Sequence, residues 1–203
     1  MKTLLLMRHA KSSWKEKDIP DHDRPLNKRG RHDAPLMGEL LIDRELIPQR
    51  ILCSSALRAR QTAEGIAQKV DFQGDIVYLE QLYMAEAEGY LHVLRELPDD
   101  LERVMIVGHN PGLETLLQIL SGRIESLSTA VLAHLVLPID RWAGLNGETE
   151  GEMVEIWRPK DLRESDEEEV EEKSRDKDKA KEKEKEREKE KAREKDKGKK
   201  KGK

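Results

Sequence analysis

An arginine and a histidine, Arg8 and His9, stand directly after the apolar run Leu4–Met7. A short apolar run is typical of a buried strand, which would deliver both side chains to the strand's carboxyl end. Ligand sites of open α/β sheets form at that end. An arginine offers a fixed fork of donors to a phosphate, and a neutral histidine nitrogen can attack phosphorus. Taken alone, the pair favours a simple strand cap, so the rest of the chain must decide.

Two further segments place similar side chains after predicted strands. Arg58 lies in the first turn of a predicted helix, where backbone N–H groups can bind an anion. His109 follows the apolar run Arg103–Val107. Three strand ends that each finish in arginine or histidine are hard to explain as independent caps. We therefore predict one pocket, in which Arg8, Arg58 and His109 hold a tetrahedral oxyanion while His9 attacks phosphorus.

The predicted pocket is expected to work without a metal or a cofactor. The sequence contains no Gly-x-x-x-x-Gly-Lys phosphate loop and no cluster of metal ligands. Arginines must then supply the positive charge that magnesium supplies in other phosphotransfer sites. Cys53 is the single cysteine, which excludes an intrachain disulfide and a cysteine-based zinc cluster.

The elements that must position these side chains follow from apolar runs and helical periodicity. Predicted strands alternate with predicted helices, which favours a three-layer α/β/α sandwich with a mostly parallel central sheet. The predicted strands are Leu4–Met7, Arg50–Cys53, Arg103–Val107, Val131–Leu137 and, more weakly, Val154–Trp157, and the predicted helices are Gly30–Glu45, Leu57–Lys69, Glu86–Leu97 and Gly112–Leu120.

Composition divides the chain into a globular domain, residues 1–163, and a charged tail, residues 164–203. The tail has 16 acidic, 17 basic and 7 other residues. Such a segment cannot bury enough apolar surface to offset its ordering entropy, so we expect it to be disordered. Its acidic start and basic end also allow an electrostatic tether to an acidic partner, such as RNA or an anionic membrane.

The globular domain has an ordinary charge balance. Its 26 acidic and 21 basic residues give no sign of a surface that binds nucleic acid. The first apolar run is too short for a signal peptide, and no span of about 20 apolar residues occurs. We therefore expect a cytoplasmic protein, whose oligomeric state the sequence leaves open.

The motifs, in their order and spacing, resemble the histidine phosphatase superfamily, which includes phosphoglycerate mutases and acid phosphatases. They are Arg8-His9, Leu57-Arg58-Ala-Arg-Gln-Thr62 and Gly108-His109-Asn-Pro. The wider stretches Arg8–Trp14, Asp23–Leu26 and Gly108–Glu114 are similar to the small SixA-like phosphohistidine phosphatase branch. The resemblance covers Met1 to about Arg158, excludes the tail, and implies a phosphoglycerate mutase-like fold.

The resemblance also implies roles for individual residues. His9 would be the nucleophile that becomes phosphorylated, and Arg8, Arg58 and His109 would bind the phosphate. Asn27 falls where relatives often carry a small hydroxyl or amide residue near the phosphate.

Asn110, within the third motif, is a further candidate for substrate binding. The general acid is a separate question, because many members place a glutamate after the strand near Val77 to protonate an alkoxide. Glu80 is the candidate here, although relatives of this branch tend to have the acid where Gln81 stands, and Glu80 has an alternative interpretation as a surface carboxylate. A site without an acid would suit phosphohistidine, because a protonated imidazole leaves as a neutral ring.

We therefore predict a metal-independent phosphohydrolase with a phosphohistidine intermediate, most simply a protein phosphohistidine phosphatase. Only a short connection separates the helix that ends at Lys69 from the strand near Val77, so little chain is available for a cap, and an open pocket admits a protein side chain. One alternative is a small-metabolite phosphatase or phosphoglycerate mutase-like enzyme, which takes a small phosphate ester and needs Glu80. The other is an interaction protein recruited by its charged tail.

Overall fold

A computed structural model gives the structure of residues 1–15 and 18–163. Residues Met1–Pro159 form one compact unit, and a second unit begins at Lys160. The charged tail, residues 164–203, lies outside the described residues, so its disorder and its tether role stay predictions.

Strands and helices alternate along the compact unit as far as the fifth strand. The strands are β1 (Lys2–Arg8), β2 (Arg50–Ser54), β3 (Asp75–Leu79), β4 (Arg103–Gly108), β5 (Leu132–Leu137) and β6 (Glu152–Trp157). The helices are α1 (Lys28–Asp43), α2 (Leu57–Lys69), α3 (Ala87–Arg95) and α4 (Gly112–Ser121), with short 3-10 turns at Asp21–Asp23, Glu80–Leu82 and Trp142–Gly144.

The six strands form one sheet in the order β3-β2-β4-β1-β5-β6. The first four strands of that order run parallel, and β5 and β6 run antiparallel at one side. Met7 of β1 and Cys53 of β2 both stand opposite Val107 of β4. The carboxyl ends of these three strands therefore meet at one edge, and the prediction of a mostly parallel α/β sandwich is confirmed.

Helices cover both faces of the sheet because its central strands are apolar on both sides. Leu4 and Leu6 belong to a buried cluster with residues of α3 and α4. Leu5 and Met7, which alternate with them, point to the opposite face and are fully buried there. The helices α1 and α2 pack against each other, and α2 contacts β2 and β4.

The predicted elements agree with the structure except at β3. The short apolar run Ile76–Leu79 is not among the predicted strands, and only the family resemblance placed a strand near Val77. In the structure β3 is an edge strand whose Asp75 and Tyr78 are exposed. Helix α2 has the predicted bounds, and the other elements differ from the predicted ones by a few residues at their ends. Among the residues described, no helix is long and apolar enough to cross a membrane.

Candidate active site

The carboxyl ends of β1, β2 and β4 surround a pocket of about 400 Å³ that opens to solvent. The pocket brings together the four side chains that the sequence predicts to meet: Arg8, His9, Arg58 and His109. His9 and His109 lie with their ring centroids 5.0 Å apart. The recurrence of arginine and histidine after strand ends therefore gives one cluster in space.

His9 is held in one orientation by the backbone around it. Its main-chain N–H donates to the carbonyl of Gly108 on β4, at 3.0 Å. Its ring Nδ1 lies 2.8 Å from the carbonyl of Ala10, so Nδ1 carries the proton and donates it. The Nε2 atom then keeps its lone pair, which accepts a hydrogen bond from Nε of Arg58 at 3.2 Å. A histidine whose Nε2 is unprotonated is suited to nucleophilic attack once that hydrogen bond is released.

His109 is oriented by Ser54 and Tyr90. Its Nε2 lies 2.8 Å from the Ser54 hydroxyl, and its Nδ1 faces the Arg58 guanidinium at 3.5 Å. The Tyr90 hydroxyl accepts the His109 backbone N–H at 3.0 Å and is 3.3 Å from the His109 carbonyl. Gly108 makes this arrangement possible, because a Cβ at that position would collide with the Tyr90 ring.

Burial keeps both histidines neutral. It lowers the pKa of His9 to about 4; the hydrogen bond to the Ala10 carbonyl opposes this shift, and the positive charges of Arg58 and Arg8 add smaller effects in the same direction as burial. Burial also lowers the pKa of His109 to about 3, assisted by His9 and Arg58. A neutral imidazole at physiological pH is the form that can act as a nucleophile.

Arg8 and Asn110 share one backbone carbonyl at the wall of the pocket. The Arg8 Nη1 atom donates to the carbonyl of Leu127 at 2.8 Å, and Nδ2 of Asn110 donates to the same oxygen at 2.9 Å. The main-chain N–H of Ala130 contacts the carbonyls of Arg8 and His9. The segment before β5 thus fixes the guanidinium on the pocket side.

Asp21 is a site residue that the sequence reasoning missed. Its Oδ2 accepts from Nη2 of Arg58 at 2.9 Å and from the Tyr83 hydroxyl at 3.0 Å, and its Oδ1 accepts from Arg24 at 2.7 Å. Burial raises the pKa of Asp21, but the bonds from Tyr83, Arg24 and Arg58 outweigh burial and lower it overall. The nearby Asp23–Leu26 motif was the available signal, since its Arg24 binds Asp21.

Two predicted residues lie away from the pocket lining. The Glu80 carboxylate bonds the Ser55 hydroxyl at 2.5 Å and is exposed. The Asn27 side chain accepts from the backbone N–H of Gly30 at 2.9 Å and caps the start of α1. The structure therefore gives Asn27 a capping contact and Glu80 a surface contact, and the roles suggested for them stay predictions.

In the part of the chain that the structure describes, no group of three or more histidine, cysteine, aspartate or glutamate side chains could hold a metal ion. The basic side chains on the pocket lining are Arg8, Arg58, Arg24, which is paired with Asp21, and Lys11. Two guanidinium groups and two imidazoles around one cavity can bind a tetrahedral oxyanion and present a nitrogen nucleophile to it.

Sequence comparisons point in the same direction as the geometry. The family model of the histidine phosphatase superfamily (branch 1) matches residues 4–83. An uncharacterised protein of Mycobacterium leprae is 34% identical over 145 residues, which cover 69% of this chain and 86% of that protein. The chain belongs to the histidine phosphatase superfamily. An uncharacterised chloroplastic protein of Arabidopsis thaliana is 33% identical over 141 residues, which span just under two thirds, 65%, of its length and 65% of this chain.

Solved structures of other proteins show which branch of the superfamily this histidine phosphatase is similar to and which fold it shares with them. A structure from Agrobacterium tumefaciens, assigned as a phosphohistidine phosphatase SixA, is 30% identical with a TM-score of 0.68, and the match covers 78% of this chain and 98% of that one. A mycobacterial glucosyl-3-phosphoglycerate phosphatase shares the fold alone, at 13% identity and a TM-score of 0.56, with 75% and 97% of the two chains covered. Membership of the superfamily supports phosphatase activity, whereas the range of neighbours leaves the substrate open.

Proposed function

We propose that this histidine phosphatase removes the phosphoryl group from phosphohistidine in proteins, without a metal, through a covalent phosphohistidine at His9. The observation that carries the proposal is the convergence of two arginines and two neutral histidines at the base of one open pocket. The positive charge lies where the phosphoryl oxygens would bind, and the unprotonated His9 Nε2 lies beside it, in a hydrogen bond from Arg58 that the phosphoryl group would replace.

The first step transfers the phosphoryl group to His9. The Nε2 lone pair attacks phosphorus, a new N–P bond forms, and the bond to the substrate's imidazole breaks with its electron pair returning to that ring. If the substrate ring enters protonated, it leaves as a neutral imidazole and needs no external acid. Arg8 and Arg58 offset the negative charge of the transferring phosphoryl oxygens.

The second step returns His9 to its starting state. Because Nδ1 keeps its proton against the Ala10 carbonyl, the phosphorylated ring is cationic and is itself a good leaving group. Water attacks phosphorus, the Nε2–P bond breaks, and inorganic phosphate is released. The Ala10 contact therefore acts in both steps. It leaves Nε2 unprotonated, so that Nε2 can attack phosphorus, and it keeps the phosphorylated ring cationic, so that the ring is a good leaving group.

The openness of the pocket and the position of Glu80 favour phosphohistidine over a phosphate ester. An alkoxide leaving group needs a proton donor in the site, and the Glu80 carboxylate is bonded to Ser55 outside the pocket lining. A cavity of about 400 Å³ that opens to solvent can receive a side chain that projects from a protein.

The test is to trap the intermediate. The full chain is mixed with a phosphohistidine-containing protein, quenched in alkali, and mapped by mass spectrometry for an acid-labile phosphate on His9. We expect the label on wild type and on His92→Asn, a matched change of an exposed histidine on α3, and none on His9→Asn. Turnover should persist in EDTA.

Three results would contradict the proposal. Label and turnover retained in His9→Asn would remove the covalent step, and loss of turnover in EDTA would remove metal independence. A strong preference for glycerate or sugar phosphates, lost in Glu80→Gln, would instead establish the small-metabolite alternative.

A further inference from the structure

Trp14 is a large apolar side chain that stays in solvent at the mouth of the pocket. Its exposure is 71%, although it lies on the pocket lining only five residues beyond His9. The Arg24 guanidinium stacks over the indole ring, 3.1 Å from its centroid. Arg24 is itself buried and bonded to Ser12, Ser13 and Asp21, so it is a fixed support. The indole is thus braced on the side of Arg24 and presents an apolar surface to solvent.

Met84 is a second exposed apolar side chain on the same lining. It is 54% exposed and has a backbone φ of 52°. A bulky residue without glycine's freedom rarely adopts this left-handed conformation, and strained residues of this kind concentrate at functional sites. The flexible thioether lies at the rim, and the preceding residue is Tyr83, whose hydroxyl binds Asp21. Met84 therefore provides apolar surface on the loop that follows β3, whereas Trp14 provides it on the loop that follows β1.

We propose that Trp14 and Met84 form a docking rim that binds the polypeptide on either side of a substrate's phosphohistidine. The inference rests on the proposed function and adds the part of the substrate that is recognised. The phosphoryl group and its imidazole reach the four charged and polar side chains at the base, and the backbone that carries them must cross the mouth. Two exposed apolar side chains at that mouth can pack against a polypeptide chain, whereas a small phosphorylated metabolite would leave them in solvent.

Variants of the rim can distinguish binding of the polypeptide from the chemical step. Two substrates with the same P–N bond are compared, a phosphohistidine-containing peptide and phosphoramidate, which has no ring and no chain. We expect Trp14→Ala and Met84→Ala each to lower kcat/KM for the peptide by about tenfold, mainly through KM. Hydrolysis of phosphoramidate should change less than about twofold. Trp14→Phe, which keeps a ring for Arg24 to stack on, should recover most of the peptide activity.

Ile124→Ala is the matched control, because Ile124 is 82% exposed and is not on the pocket lining. It should leave both substrates unaffected. Equal losses on peptide and phosphoramidate in Trp14→Ala would overturn the proposal and show that Trp14 only holds Arg24 in place. Unchanged peptide kinetics in both rim variants would overturn it as well. Failure of the proposed function looks different, because wild type would then hydrolyse neither P–N substrate.

Discussion

Acidification should destabilise the folded protein through its two buried histidines, and His109 allows the effect to be isolated. Burial holds the His109 pKa at about 3 in the folded protein, against an ordinary value of 6.5. Between those pH values the unfolded chain binds a proton that the folded protein excludes. The free energy of unfolding therefore falls as the pH drops below about 6.5 and continues to fall until the folded-state pKa is reached.

The size of the effect follows from the shift. One pKa unit corresponds to about 1.4 kcal/mol, and about pH 4.5 lies two units below the unfolded pKa, so His109 alone should cost roughly 2.5 kcal/mol relative to pH 7. His9, with a pKa of about 4, contributes a comparable amount. The two rings lie 5.0 Å apart, and a charge on His9 further disfavours a charge on His109, so the two costs add without offsetting each other.

Urea unfolding at pH 7 and at about pH 4.5 measures the effect. His109→Gln should lose about 2 kcal/mol less than wild type over this interval, because one proton-binding site of the unfolded chain is absent. His92→Gln, on the exposed surface of α3, should lose as much as wild type. Carboxylates contribute equally to all three proteins and cancel in the comparison. An acid-induced loss in His109→Gln that equals the wild-type loss would refute the argument that this ring is buried in its neutral form.

Three other substitutions test the surroundings of the pocket. Asp21→Asn removes the carboxylate that competes with phosphate for Arg58. The inhibition constant of inorganic phosphate should therefore fall by about 3- to 10-fold, and a higher constant would contradict this. Glu80→Gln should leave steady-state turnover of a phosphohistidine peptide within about twofold of wild type, whereas a tenfold loss would make Glu80 a participant. Tyr90→Phe removes the acceptor of the buried His109 N–H and should cost about 1–3 kcal/mol in chemical denaturation; a neutral effect would show that the N–H finds another partner.

The convergence of the strand ends could be predicted because it depends on a simple rule of connectivity. Parallel strands joined by helices all place their carboxyl ends at the same edge of the sheet, so residues that follow β1, β2 and β4 must meet. That rule alone predicts that Arg8, Arg58 and His109 lie close together. The pairing of β1 with β4 agrees with this rule, since Arg8 stands opposite Gly108 at the ends of the two strands.

Contacts made by loops could not be predicted in the same way. Asp21 reaches Arg58 across 37 positions of sequence, through a turn whose path no periodic pattern describes. The family resemblance suggests Glu80 and Asn27 by their position in the sequence alone. In the structure the Glu80 carboxylate contacts a serine hydroxyl, and the Asn27 side chain caps a helix N-terminus. The strand β3 contains a short apolar run, Ile76–Leu79, and periodicity does not distinguish so short a run from a helical segment.

The electrostatics of the pocket explain why Asp21 and the neutral histidines occur together. Two guanidinium groups and two imidazolium rings packed in one small cavity would repel one another strongly, so burial that keeps both rings neutral removes half of that charge. The Asp21 carboxylate then offsets part of the positive charge that remains on Arg58. A phosphoryl dianion supplies the same compensation more completely, so it can take the place of Asp21 at Arg58. We therefore expect substrate binding to exchange one anion for another, with an affinity that depends on how firmly Arg24 and Tyr83 hold Asp21.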